Sequence, residues 1–223
     1  MNIRFIHYWL VAIVVSMIFT SCDEHLEEDF SWRSWQPGRV YFTNGEVSTY
    51  DRCIADGNIP EAVLFYIDAT DATSGVAYAV SLKDSPANAF CNPDTIYVTQ
   101  GTSADISACD GETNTTAMRY GKIASPIATS ISDKYFIPSV SEMYKLFVAR
   151  SVVNQAIERC GGDILPIDNV DCWYWTSTEC EVATTDRAWR FSLYSGRFES
   201  TDKHSAFPVR PILMIRLNKE EQR

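Results

Sequence analysis

The sequence predicts an α+β domain in which antiparallel strands flank a central helical segment. Three observations carry that expectation. Residues 62–67 and 75–82 are apolar runs of strand length, separated by a turn-rich stretch. Residues 139–157 place apolar side chains at three- and four-residue spacing behind a helix-capping pair. From Trp173 onward, aromatic, β-branched and alternating residues return.

In chain order, residues 38–42 (GRVYF) read as a first strand, closed by a turn at Asn44-Gly45. The runs 62–67 and 75–82 read as a hairpin across the turn at 68–74. Residues 83–112 are loop-like, punctuated by Pro86, Asn88, Pro93, Gly101 and Gly111, with a short strand at 95–99. A helix is expected over 115–128, capped by Asn114 and disturbed at its end by Pro126. The clearest helix starts at Ser139, which forms the S-x-x-E capping box with Glu142 directly after Pro138. Val140, Met143, Leu146, Phe147, Val153, Ala156 and Ile157 line one face, and Gly161-Gly162 stops it. A break near 150–151 would split it in two.

Residues 173–178 (WYWTST) form the next strand. Residues 187–194 alternate, with Ala188, Arg190, Ser192 and Tyr194 on one face and Trp189, Phe191 and Leu193 on the other. Ser195-Gly196 makes a turn, and residues 197–200 return as the second arm. Residues 209–217 close the domain, with Pro211 favouring an edge or a bulge.

The N-terminus reads differently. Arg4, the apolar run 5–19 and Thr20-Ser21 form the charged, apolar and small-residue regions of an export signal over 1–21. The apolar stretch is shorter than the roughly 20 residues a membrane-spanning helix needs. Cys22 follows at the position where a bacterial lipobox has its acylated cysteine, although Phe19 stands where Leu is usual. The lipoprotein reading places acyl chains (palmitate) on Cys22, and several chains anchor a protein firmly. The rival reading is a plain secretory signal. Residues 22–34, with the acidic run 23–29 (DEHLEED), are expected to be a solvated tether, and 35–218 a single domain. Acidic residues just after such a cysteine resemble the export tag of lipoproteins displayed on the surface of certain Gram-negative anaerobes. The expected location is the outer membrane, lipid-anchored and facing the exterior.

The net charge of −10 argues against nucleic acid, which needs clustered Lys and Arg. Six cysteines follow the anchor: Cys53, Cys91, Cys109, Cys160, Cys172 and Cys180. An even number in an exported chain points to disulfides, with the pairing left open. A zinc site is the weaker rival, because no C-x₂-C spacing occurs and His204 is the only late histidine. No metal and no cofactor is expected. Enzymatic readings do poorly: His204 sits in a polar loop, no G-x-S-x-G elbow is present, and no phosphate-binding glycine loop occurs.

The C-terminal half carries an ordered set of motifs. These are Phe136-Ile137-Pro138-Ser139 with Glu142 and Leu146, then Tyr174-Trp175-Thr176-Ser177-Thr178-Glu179, then Ala188-Trp189, Gly196 and Pro208-Val209-Arg210-Pro211-Ile212. Residues 111–217 resemble an uncharacterised family with a C-type-lectin-like fold, found in Gram-negative lipoproteins and at the C-terminus of collagen-like bacterial adhesins. That family is distantly similar to formylglycine-generating enzymes. The resemblance implies a C-type-lectin-like fold. It does not bring the enzymatic activity with it, because Cys172 and Cys180 do not match the reactive-cysteine arrangement. Calcium-dependent sugar binding also lacks its motifs, since Asn92-Pro93-Asp94 lies before the helices.

Within the motif, Trp175 and Trp189 read as core aromatics. Ser177 and Thr178 are expected to satisfy backbone groups at a strand end. Gly196 is expected in a turn. Arg210 is expected to be partly buried, with Glu179 and Glu142 as candidate partners. Trp173, Tyr174, Arg190, Tyr194 and Arg197 are the exposed-aromatic and arginine candidates for ligand binding. The functional expectation is a non-catalytic binding or adhesion module for a glycan or a surface protein, touching the membrane through its lipid. The alternative is a structural or accessory subunit of an outer-membrane assembly, fimbria-like or for uptake.

Overall fold

The computed structural model describes residues 35–69 and 75–216, without the side chain of Cys53. The expectations for the signal 1–21, for lipidation at Cys22 and for the tether 22–34 lie outside the described residues. No helix among the described residues is long and apolar enough to cross a membrane.

The fold is α+β and mostly strand. Its main sheet has five antiparallel strands in the order β10-β4-β3-β1-β2. These are β1 (Val40–Phe42), β2 (Val47–Ser48), β3 (Pro60–Ala69), β4 (Gly75–Ser81) and β10 (Ile212–Arg216). β1 and β2 are joined through Asn44-Gly45, where the Gly45 N–H donates to the Phe42 carbonyl at 2.9 Å. β3 and β4 form the expected hairpin, with Val63 opposite Val80 and Leu64 opposite Ala79. β10 pairs with β4 and forms an edge, which accommodates Pro211 just before it. A short helix α1 (Tyr50–Ala55) separates β2 from β3.

One face of this sheet is covered by the long helix α4 (Val140–Arg159). Val40, Phe42, Val63, Phe65, Tyr78 and Val80 meet Val140, Met143, Leu146, Val153, Ala156 and Ile157 in one core. Each Val, Leu, Ile, Phe or Met side chain among them contributes about 1.5–3 kcal/mol on full burial. Both halves of the capping box form: the Glu142 N–H donates to Ser139 Oγ, and the Ser139 N–H donates to Glu142 Oε2 at 2.8 Å. At the other end, Gly161 adopts φ +68°, its N–H donates to Glu158, and the Gly162 N–H donates to Ile157. That pair of bonds is a Schellman motif, and it fixes where the helix stops. The break expected near 150–151 does not occur. Arg150 instead braces the helix, donating to the Phe147 carbonyl and lying 4.1 Å from the centre of its ring.

The helix expected over 115–128 is corrected to α2 (Gly111–Tyr120) and the single turn α3 (Pro126–Thr129). Asn114 is not a cap. It lies inside α2, where its side chain donates to Asp110 Oδ1 and accepts from the Ser103 N–H. Arg119 ties the two helices and the following loop together by donating to the carbonyls of Ala128, Ile131, Ser132 and Tyr135. The strand expected at 95–99 is also absent. Asn92 captures the Asp94 N–H with its side chain and the Thr95 N–H with its carbonyl, so local turn bonds outcompete a ladder.

The remaining strands form two small sheets. β5 (Asn88–Ala89) pairs with β9 (Ala206–Phe207), and β6 (Tyr174–Glu179), β7 (Arg187–Phe191) and β8 (Phe198–Asp202) form a three-stranded meander. The alternation in β7 has a cause. Phe191, with Trp189 beside it, packs into the main core, while Ala188 joins a second core of Phe90, Met118, Ile127, Ile137, Trp175 and Val209. The meander is thus held between two apolar clusters.

The expected disulfides do not form among the described residues. Cys91, Cys109, Cys160, Cys172 and Cys180 are free thiols. Cys91 and Cys180 are buried, and Cys109 lies at the surface against Lys145.

Candidate functional site

The motif strand β6 is buried along its whole length. Trp175 sits at the centre of the second core. Phe90 and Phe207 meet it edge-on at 5.4 and 5.2 Å, and its indole N–H donates to the Asn88 carbonyl at 3.1 Å. β6 pairs with β7 at both ends and bulges between Trp175 and Glu179. The bulge lets its polar side chains serve other elements. Thr176 Oγ1 donates to the Trp189 carbonyl, the Ser177 N–H donates to the Pro138 carbonyl, and Thr178 Oγ1 accepts the Val140 N–H. The Val140 N–H is the first of α4 and has no partner within the helix. The motif therefore docks the start of α4 against the meander: Thr178 satisfies a backbone N–H at the helix start rather than at a strand end, and the Ser177 hydroxyl accepts from Asn114 Nδ2 at 3.4 Å instead of serving a backbone group.

Glu179 ends β6 in a buried polar cluster. Its carboxylate accepts the Gln100 N–H at 2.7 Å, the Thr102 N–H at 3.1 Å and Thr102 Oγ1 at 3.0 Å. It also pairs with Lys203, and both side chains are fully buried. Lys203 Nζ donates as well to the carbonyls of Val98 and Thr184 and lies 5.2 Å from the Phe90 ring centre. The pair pins the loop 92–110 onto the meander.

Arg210 is more deeply buried than expected and has a different partner. Glu179 is committed to Lys203, and Glu142 to its capping box. Arg210 Nη1 donates instead to Asp84 Oδ1 at 2.9 Å, and Asp84 Oδ2 accepts from the Tyr174 hydroxyl at 2.9 Å. Tyr174 is therefore a buried structural residue rather than an exposed ligand contact, and burial beside Asp84 raises its pKa. Sequence reasoning missed Asp84 and Lys203. Lys203 carries a weak signal: it is a lone cation in a polar turn, next to His204.

Three of the other ligand-binding candidates, Trp173, Arg190 and Arg197, meet at the surface of the meander. Arg190 lies with its guanidinium 4.2 Å from the Trp173 ring centre and 5.0 Å from that of Phe207. Its Nη2 donates to Glu199 Oε2 at 3.1 Å, and Arg197 Nη2 donates to Glu199 Oε1 at 2.8 Å. Trp173 and Arg190 are half-buried and Arg197 is exposed. The result is a Trp–Arg–Glu–Arg platform built on β7, β8 and the residues just before β6 and β8. Tyr194 is half-buried in the turn beyond β7 and shares no hydrogen bond or ring contact with the platform among the described residues. Trp189 leans away, edge-on to Phe198 at 5.4 Å. Gly196 adopts φ +74°, and an added Cβ would lie 2.8 Å from Phe147, so the turn requires glycine.

His204 was expected to be a solvated loop residue. Its ring instead stacks on Tyr97 at 4.1 Å, with a 9° angle between the planes. The Tyr97 hydroxyl donates to Asp202 Oδ2 at 2.6 Å, and the Asp202 carboxylate also accepts the His204 N–H at 2.7 Å. That hydrogen bond pushes the tyrosine up to about 12 and holds the Asp202 carboxyl below its ordinary range. Among the described residues, no group of three His, Cys, Asp or Glu side chains is placed to hold a metal ion.

No protein-family model matches the chain, and no curated protein matches it either.

Proposed function

We propose that the chain is an outer-membrane lipoprotein, anchored through acyl chains on Cys22 and facing the cell exterior. Its domain is read as C-type-lectin-like and as binding a glycan or a surface protein without catalysing a reaction. The fold reading is supported by antiparallel strands flanking a central helical segment and by the ordered motifs over 111–217. The observation that carries the binding reading is the platform of Trp173, Arg190, Glu199 and Arg197. An indole face suits the C–H face of a sugar ring, and planar guanidinium and carboxylate groups suit vicinal hydroxyls or acidic substituents. The test is a glycan array probed with residues 30–223, with and without calcium. Saturable binding lost in Trp173→Ala and Arg197→Ala supports the reading. A blank array under both conditions rejects sugar as the ligand.

A second reading, as a subunit of an outer-membrane assembly, is favoured by one feature. Tyr144, Val148 and Val152 recur every four residues along α4 and are 55%, 67% and 40% exposed. An apolar stripe of this kind suits contact with another protein. Self-association of the purified protein that is abolished by Val148→Lys would favour this role.

A further inference from the structure

The loop ahead of α2 carries a cysteine paired with a lysine. Among the described cysteine side chains, Cys109 is the exposed one. Its Sγ accepts from Lys145 Nζ at 3.1 Å and lies 3.4 Å from Ser141 Oγ. Lys145 is held in place from the other side, with its Nζ 3.9 Å from the centre of the Tyr66 ring. Neighbouring carboxylates are already engaged: Asp110 accepts from Asn114 Nδ2 at 2.8 Å, and Glu142 accepts the Ser139 N–H. The exposed sulfur is open to oxidants and lies within hydrogen-bond reach of an amine. Burial raises the pKa of Cys91, Cys160 and Cys172, with Cys160 reaching about 11.

We propose that Cys109 and Lys145 form a peroxide-responsive modification site that closes into a covalent sulfur–nitrogen crosslink. In the first step the Cys109 thiolate attacks one oxygen of a hydroperoxide. An S–O bond forms and the O–O bond breaks. With hydrogen peroxide, the leaving hydroxide takes a proton from the Lys145 ammonium and departs as water. The sulfur is oxidised by two electrons to a sulfenic acid, the peroxide is reduced, and Lys145 becomes a neutral amine. In the second step that amine attacks the sulfenyl sulfur beside it. An S–N bond forms, the S–O bond breaks, and the departing hydroxide takes the proton released from nitrogen. The net change is thiolate, ammonium and hydrogen peroxide to sulfenamide and two waters. The crosslink fastens the loop ahead of α2 to the first turns of α4.

The experiment treats the full chain with hydrogen peroxide and maps its peptides by mass spectrometry. The expected result is a Cys109–Lys145 crosslinked peptide lighter by two hydrogen atoms than the sum of its parts. It should disappear on reduction and be absent in C109S. In K145A, oxidation of Cys109 should slow about tenfold, because no ammonium remains to protonate the leaving group. K145R keeps the charge but supplies no amine, so a sulfenic acid should be trapped by dimedone and no crosslink should form. The proposal is overturned if Cys109 in the folded chain oxidises at the same rate in wild type and K145A. It is equally overturned if wild type accumulates sulfenic or higher acids at Cys109 with no crosslink to Lys145.

Discussion

Replacing Lys203 by Met should be the most damaging single change at the buried polar cluster. The substitution keeps the unbranched stem, so the packing beside Phe90 is retained and the loss is electrostatic. Three things are lost together: the ion pair with Glu179, and the donors to the Val98 and Thr184 carbonyls. The Glu179 carboxylate keeps the N–H groups of Gln100 and Thr102 and the Thr102 hydroxyl, but carries its charge in a site with no solvent exposure. Removing one partner of a buried pair costs about 3–5 kcal/mol, largely because the other charge is left uncompensated. For a domain of this size that corresponds to a fall in Tm of about 6–20 °C. The assay is urea unfolding of wild type, Lys203→Met, Glu179→Gln and the double variant. The double variant should cost less than the sum of the singles, by about 2 kcal/mol, because no buried charge is then stranded. The reasoning fails if Lys203→Met costs under about 1 kcal/mol, or if the two single costs simply add. Limited proteolysis offers a second readout, since the loop 92–110 should be cut sooner in either single variant.

Three further outcomes follow from the same structure. Burial pushes the Glu142 carboxyl from its ordinary 4.5 up to about 7, so the folded state holds its proton more tightly than the unfolded chain does. The stabilisation from this group is present at pH below about 4.5 and is lost as pH rises through 7, and Glu142→Gln should remove that slope from the urea midpoint measured between pH 4.5 and 8. Thr178→Val deletes the acceptor of the Val140 N–H at the start of α4 and should destabilise by about 1–2 kcal/mol in equilibrium unfolding. Gly196→Ala forces a Cβ into a left-handed turn and against Phe147, and should cost about 1–2 kcal/mol or more, read as a lower thermal midpoint.

The parts of this protein that were legible in its sequence share a short range. The β3–β4 hairpin, the Ser139–Glu142 capping box, the Gly161-Gly162 stop and the turn at Gly196 each depend on residues a few positions apart. Their signals are steric or periodic and survive without tertiary context. Where local signals competed, the sequence misled: Asn114 looks like a cap but is recruited by Ser103 and Asp110, and Asn92 turns the chain where 95–99 has strand character. Along β7 the alternation was readable, while the second apolar cluster that covers its other face was not. The cysteine count suggested pairing, yet the fold buries Cys91 and Cys180 and sets Cys109 beside a lysine.

The sequence by itself determined the α+β class, the two ends of the central helical segment, and the segment that supplies the surface platform. Only the tertiary structure decided which polar groups meet. Glu179 finds Lys203 across 24 positions, and Arg210 finds Asp84 across 126. Neither pairing leaves a period or a spacing in the chain. A buried charge must be neutralised by whichever opposite charge the packing of apolar elements brings within reach, and that choice is made by the three-dimensional arrangement of the strands and the loop that carry them.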